Sequence, residues 1–324
     1  MTIYQNQALT NLAARRARPA FLASSILPSL KVAKQTGVIY KKDVRDSRLQ
    51  VPDTTRAPGT KPNPLYEENP TTVSYNIVDH SLSAMLPDEV KAQLDPAIQS
   101  EANKVESLYE ALLLRKEIDL MAALTASVSS DAPTVKFDDY VTTTGEGSDP
   151  IAYLMEAYAT IEDAVGATPN CLALDNAVAR ALSQHPKFQE RAKYTLAPAQ
   201  NVNGIAAMAN LIAAVLGLEQ VFVCNGALYN SAARGAATAS MSRIWGETAL
   251  LFYRENPSLE YAGLGVELKW DLPGVSAVNG VFVMQSRDDE AVADKFFVHD
   301  YYDQKIVNAG AGFLITDCLG GTPE

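Results

Sequence analysis

The feature that most constrains this chain is an uninterrupted run, residues 97–132, that contains neither proline nor glycine and is bounded by Pro96 and Pro133. Apolar side chains recur through it at Val105, Leu108, Tyr109, Leu112, Leu113, Ile118, Met121 and Leu124, with charged residues between them. That spacing predicts an amphipathic helix. If some thirty residues are helical, the rod is roughly 45 Å long, far beyond the usual three or four turns. The apolar positions drift off a strict heptad, which argues against a coiled coil.

The N-terminal side of the run is unlike it. Residues 1–36 lack continuous periodicity and read as an arm that orders against something else. Arg15, Arg16 and Arg18 cluster there, ahead of the apolar residues Phe21, Leu22, Ile26 and Leu27. Residues 37–80 read as a long hairpin. Val73, Tyr75 and Ile77 alternate with polar residues, and residues 38–41 supply the opposing strand. Between them lie Pro52, Pro58, Pro62, Pro64 and Pro70, with a turn signal at Pro58-Gly59. Such a ribbon is marginal by itself in water, so it is expected to rest on another subunit.

The C-terminal half of the chain alternates compactly. Asp149-Pro150 starts a helix that stops at Gly166, residues 171–174 form a strand, and Asp175 caps a helix ending at His185-Pro186. Asn203 is placed to cap a further helix ending at Gly217. Strands then dominate, at residues 220–224, 248–253, 265–270, 280–285, 296–301 and 312–316. Helices first and strands later indicate an α+β fold with a mixed or antiparallel sheet.

Charge and motifs exclude several functions. Residues 1–60 hold ten Lys/Arg against three Asp/Glu, a balance of +7 within a total of −11, leaving −18 for the rest. An acidic body repels duplex DNA over most of its surface, so non-specific nucleic-acid binding is not expected to be its main task. There is no G-x-x-x-x-G-K-[ST] loop, G-x-S-x-G elbow or H-E-x-x-H helix, and Gly310-Ala311-Gly312 lacks the third glycine of a dinucleotide loop. The pairs Asp138-Asp139 and Asp288-Asp289 read as solvated loops. Cys171, Cys224 and Cys318 are scattered, as are His80, His185 and His299, which predicts buried thiols and no metal site. No signal peptide is recognisable, and residues 205–223, the most apolar stretch, are interrupted by Asn210, Gly217, Glu219 and Gln220, so no membrane span is expected. Catalytic, cofactor and metal sites are all expected to be absent.

The order of these parts resembles the Hong Kong 97-type major capsid fold of tailed phages, across nearly the whole chain. Local wording agrees: Arg56-Ala-Pro-Gly-Thr60 at the hairpin tip, Leu112-Leu-Leu-Arg-Lys-Glu-Ile-Asp119 in the helix, and Pro169-Asn-Cys-Leu-Ala-Leu-Asp175 followed by Ala181-Leu-Ser-Gln-His-Pro186. Ile244-Trp-Gly-Glu-Thr-Ala-Leu-Leu-Phe-Tyr253 and the ending Tyr302-Asp-Gln-Lys-Ile-Val-Asn308 with Ala311-Gly-Phe-Leu-Ile-Thr-Asp317 are similar to recurrent strands of that family. The resemblance implies an N-terminal arm (1–36), an extended hairpin loop (37–80), a spine helix with a peripheral domain (81–168, rejoined by 286–305) and an axial domain (169–285, rejoined by 306–324). It further implies pentamers and hexamers that tile an icosahedral shell around double-stranded DNA, as part of a virion assembled in the host cytoplasm. Only residues 1–96 precede the helix and the hairpin takes nearly half of them. A separate scaffolding protein is therefore expected, along with a portal. Some relatives join subunits by a Lys–Asn isopeptide bond, which is not expected from the hairpin lysines here. Arg15, Arg16, Arg18, Lys41, Lys42, Arg56, Pro58 and Lys61 are the candidate assembly residues. An encapsulin-type shell is the alternative, and an unrecognised soluble α+β enzyme a distant one.

Overall fold

The computed structural model describes residues 3–15, 21–42, 53–62, 71–93, 101–140, 147–195, 204–232, 238–275, 277–278 and 280–320. Its axis is the predicted helix, Glu101–Ser127, which is 27 residues and about 40 Å long. Its two halves bury against different bodies. Val105, Leu112 and the neighbouring Leu108 and Tyr109 pack with Val281, Val283, Phe296 and Val298, on one face of a large sheet. Leu120 and Leu124, two to three turns further on, pack with Trp245 and with Leu250, Phe252 and Leu314 of a second sheet.

The first sheet has six strands among the described residues. Its centre is a 14-residue strand, Ala293–Ile306. One edge of that strand pairs antiparallel with Val281–Asp288 along its first part and with Gly265–Trp270 along its last. Val78–Pro87 runs antiparallel along the other edge. Ile3–Gln5 and Ser29–Val32 complete the sheet outside Val281–Asp288 and Gly265–Trp270. The second sheet runs Ser129–Asp131, Gly312–Ile315, Ala249–Phe252, Cys171–Asp175, Gln220–Cys224. Every residue of Cys171–Asp175 is buried, as befits a strand covered on both faces. One cover is the core shared with the long helix; the other comprises Pro150–Val165, Asn176–Gln184, Pro186–Thr195 and Ile205–Leu216.

The local signals act as expected. Asp149 accepts from Ala152 N at 3.1 Å and Asp175 from Ala177 N at 3.0 Å, each satisfying an otherwise orphaned amide at a helix start. Gly166 and Gly217 end their helices with φ of 73° and 71°, a conformation that a Cβ disfavours. Asn203 lies outside the described residues, and Gly204 occupies the cap position of Ile205–Leu216.

Packing divides the chain differently from the sequence reading in three places. Residues 1–36 were expected to order against something else. Instead the helix Gln7–Arg15 buries Leu9 and Ala13 beside the first sheet, and Leu22, Ala23, Ile26 and Leu27 lie in the core around the long helix. The strands Gly265–Trp270 and Val281–Asp288, expected in the axial unit, belong to the first sheet, whereas Pro150–Val165, expected in the peripheral unit, packs on the second. The first sheet also claims Val78–Pro87, so the hairpin ends earlier than residue 80. Periodicity reveals that a segment is a strand or a helix but not which partner it pairs with, and all three differences are of that kind.

Candidate functional site

The hairpin is present. Thr36–Lys41 pairs antiparallel with Thr72–Asn76, with Tyr40 opposite Thr72, and Glu260–Tyr261 adds a short parallel strand. Its root is held by this chain itself: Ile39, Tyr75 and Ile77 are buried with Tyr261, Val266 and Leu268. Its tip is different. Every residue from 53 to 62 is exposed. The tip holds its shape by local bonds: Asp53 accepts from Thr55 N at 2.9 Å and Ala57 O accepts from Thr60 N at 3.2 Å, around Gly59 at φ 85°.

Arg56, Pro58 and Lys61 therefore share one solvent-facing tip. Lys41 and Lys42 stand at the hairpin root, Lys42 exposed, apart from that tip in the chain. Arg15 is the last residue of Gln7–Arg15, and Arg16 and Arg18 lie outside the described residues. The tip can offer two cations and a Pro-Gly turn to a neighbour.

A second site went unread in the sequence. Lys116 and Glu117, in mid-helix, are buried, as are Glu267 and Lys269 from Gly265–Trp270 and Asp300 from Ala293–Ile306. Glu117 accepts from Leu22 N at 3.0 Å, Ala23 N at 2.7 Å and Trp245 Nε1 at 2.6 Å, so its carboxylate ties the start of the short helix Ala23–Ile26 to the long one. Burial pushes its pKa up, and these three donors partly offset that. Lys116 contacts Glu267, stands 3.8 Å from Asp300 Oδ2 and lies over the Tyr302 ring at 4.5 Å. Lys269 is 3.3 Å from the same Glu267 oxygen. Burial opposes the charge on Lys116 and on Glu267, but their mutual attraction wins, holding Lys116 above and Glu267 below their ordinary ranges. Burial raises Asp300 despite the two lysines, and pushes the Tyr109 hydroxyl up to about 12. A signal existed. Lys116 falls midway between Leu112 and Leu120 at four-residue spacing, on the buried stripe, where a solvated lysine has no place.

The structure also places Ser148 Oγ 3.1 Å from His185 Nε2, both buried. The wiring runs against nucleophilic catalysis. His185 Nδ1 accepts from Lys187 N at 3.2 Å, so the ring proton sits on Nε2, and Ser148 Oγ donates to Asp139 O at 2.8 Å. The imidazole thus donates to the hydroxyl and cannot take its proton. The acidic pairs make structural contacts: Asp138 accepts from the distant Gly320 N at 2.8 Å, and Asp288 pairs with Lys295 and accepts from Glu290 N at 3.2 Å. Among the described residues no group of three or more His, Cys, Asp or Glu could hold a metal ion, and no helix is long and apolar enough to cross a membrane. The three cysteines are buried and none is in a disulfide. Burial pushes Cys171 to about 11, and Cys224 and Cys318 to about 12.

Set against solved structures, the chain superposes over nearly its full length on a phage-related protein of Bordetella bronchiseptica, with a TM-score of 0.69, 21% identity and coverage of 99% of this chain and 100% of that one. The capsid of cyanophage P-SCSP1u matches with a TM-score of 0.53 at 11% identity, over 93% of this chain and 89% of the other. The fold is the Hong Kong 97-type capsid fold. The virus-like particle of Pyrococcus furiosus shares this Hong Kong 97-type fold, with a TM-score of 0.53 at 9% identity, over 95% and 97% of the two chains. In sequence, 190 residues are 27% identical to the major capsid protein of Burkholderia phage BcepMu. That match covers 58% of this chain and spans 60% of the relative's length. No protein-family model matches the chain.

Proposed function

We propose that this chain is the major capsid protein of a tailed phage, a self-assembling subunit of the head. One observation carries the reading: the likeness in sequence to the BcepMu major capsid protein falls on a chain whose fold is that of capsid shells. The fold alone does not separate a phage head from another shell, because the cyanophage capsid and the Pyrococcus virus-like particle match equally well. The sequence likeness favours the phage.

In this reading the first sheet and long helix form the peripheral unit and spine, and the second sheet forms the axial unit. Subunits meet as hexamers and pentamers that close an icosahedral shell, in a virion built in the host cytoplasm. The hairpin tip reaches a neighbouring subunit through Arg56, Pro58 and Lys61, with Lys41 and Lys42 at its root. Arg15, Arg16 and Arg18 meet acidic surface on a neighbour. Double-stranded DNA is enclosed without sequence-specific contacts, and a separate scaffolding protein and a portal complete the assembly. The acidic body supports an enclosure of DNA with few contacts, since only the basic residues 1–60 attract phosphate.

Electron microscopy and sedimentation of the purified full chain, alone and with a candidate scaffolding protein, test the proposal. Closed shells or capsomers are expected. A protein that remains monomeric under every assembly condition refutes it, and shells that enclose a co-expressed enzyme would move it to the nanocompartment class.

A further inference from the structure

We propose that Lys116 and Asp300 condense to an isopeptide bond within the chain, with Glu267 relaying the protons. The inference is independent of the shell reading, because it concerns the core of a single subunit.

An amine, its acyl partner and a carboxylate in contact with the amine are brought together from three separate elements. Lys116 comes from the long helix, Glu267 from Gly265–Trp270 and Asp300 from Ala293–Ile306, with relative exposures of 2%, 0% and 2%. The amine touches Glu267 and is 3.8 Å from Asp300 Oδ2, so a small side-chain rotation brings nucleophile and carbonyl carbon together. Two oxygens, Asp300 Oδ1 and Glu267 Oε2, are buried without a hydrogen-bond partner among the described residues. Native interiors rarely tolerate such oxygens; Asn176 and Ser286 hold the others among the described residues, and these two fall together on the acceptor and the base of the step.

The step balances within the cluster. Glu267 takes one proton from the Lys116 ammonium and passes it to an oxygen of Asp300, and burial favours the protonated Asp300. The Nζ lone pair then attacks Cγ and the N–C bond forms. A second N–H proton follows through Glu267 to the same oxygen, the C–O bond breaks, and that oxygen leaves as water. One ammonium and one carboxylate become one amide and one water, with no oxidant, metal or cofactor. Four buried charges fall to two, Lys269 and Glu267, which already stand 3.3 Å apart. Removing two ions from a desolvated site is the driving force, and the absence of water around the amide opposes its hydrolysis. Tyr109 and Lys269 also line an open cleft of about 780 Å³, which gives the released water a way out. The ion pair keeps Glu267 a weak base, so the condensation is slow and its extent grows after folding.

Intact-mass spectrometry of the full-length protein, fresh and after prolonged incubation, reads the result directly. The expected outcome is a growing fraction lighter than the encoded chain by one water, with tryptic cleavage lost after Lys116 and a joined peptide carrying Lys116 and Asp300. The peptide map separates this from loss of water at an unrelated aspartate. Lys116→Arg is expected to keep the full mass, and Glu267→Gln to keep it or lose water many times more slowly. Should Glu267→Gln fail to fold, the wild-type mass still decides. A wild-type chain that keeps its full mass and its cleavage after Lys116 overturns the proposal, as does a joined peptide through any other pair. Loss of water by Glu267→Gln at the wild-type rate removes Glu267 from the mechanism.

Discussion

The hairpin tip and the middle of the long helix treat charge in opposite ways. The tip keeps Arg56 and Lys61 in water, surrounds them with prolines and contributes nothing to any core. The helix takes Lys116 and Glu117 out of water and satisfies them within the chain. A charge left in solvent contributes little until something binds it, so the tip's value lies outside the subunit. A buried charge is costly unless an opposite charge or a donor meets it, so the clasp on the helix holds together elements distant in sequence: residues 22, 117 and 245 at one point, 116, 267 and 300 at another. The same pairing rule yields an assembly limb in one place and an internal brace in the other.

The comparison breaks most readily at Glu117. Glu117→Leu leaves the Leu22, Ala23 and Trp245 donors unpaired in the core and is expected to destabilise the unassembled subunit by about 3–5 kcal/mol. Urea denaturation with Trp fluorescence measures this; a loss under about 1 kcal/mol would mean that the clasp is not a brace.

Excising residues 46–70 and bridging the gap with a short Gly/Ser linker should do the reverse. The register places Tyr40 opposite Thr72, so the ribbon closes without moving its root. Subunit stability is expected to stay within about 1 kcal/mol, while normal shells are lost. Thermal melting and sedimentation under assembly conditions read the two effects separately. Intact shells from the shortened chain would refute an intersubunit role for the tip, and an unfolded product would place part of the core in the deleted stretch.

Acid should loosen the helical face around His185 before it affects the tip. Burial, and then the Lys187 charge, hold the His185 pKa below its ordinary value of about 6.5. The unfolded chain then binds the proton more readily than the folded one. The associated stability is present above the unfolded pKa and lost as pH falls below it. Protonation also takes from Nδ1 the lone pair that accepts from Lys187 N. His185→Gln should flatten the fall in melting temperature between pH 7 and pH 5; an unchanged slope would locate the acid sensitivity elsewhere.

The smallest effect belongs to the tip's charges. Arg56→Ala with Lys61→Ala should change subunit stability by less than about 0.5 kcal/mol yet shift assembly to lower salt, because weak contacts repeat around a shell. Assembly yields that track the wild type across a salt series would leave the tip's shape, and not its charge, as what a neighbour recognises.

Much of this architecture was legible from local chemistry. In the long segment without proline or glycine the apolar spacing chose a helix, and only its end, Ser129–Asp131, joins a sheet. Asp149, Gly166, Asp175 and Gly217 mark their helix ends because capping is settled within a few residues of chain. The strand runs at 171–174, 220–224 and 265–270 were equally readable. Which strands pair was not. Gly265–Trp270 reads alike whether it joins the first sheet or the second, and only the long strand Ala293–Ile306 decides between them. The arm presents the same difficulty. Leu22, Ile26 and Leu27 are plainly apolar in sequence, but that they fill this chain's own core depends on a groove built from residues more than ninety positions away. The clasp is the extreme case. Lys116 stands out in the sequence only by its place on an apolar stripe, and Glu267 and Asp300 not at all. Their meaning comes from lying within a few ångströms of one another where water is excluded, and tertiary packing alone creates that condition.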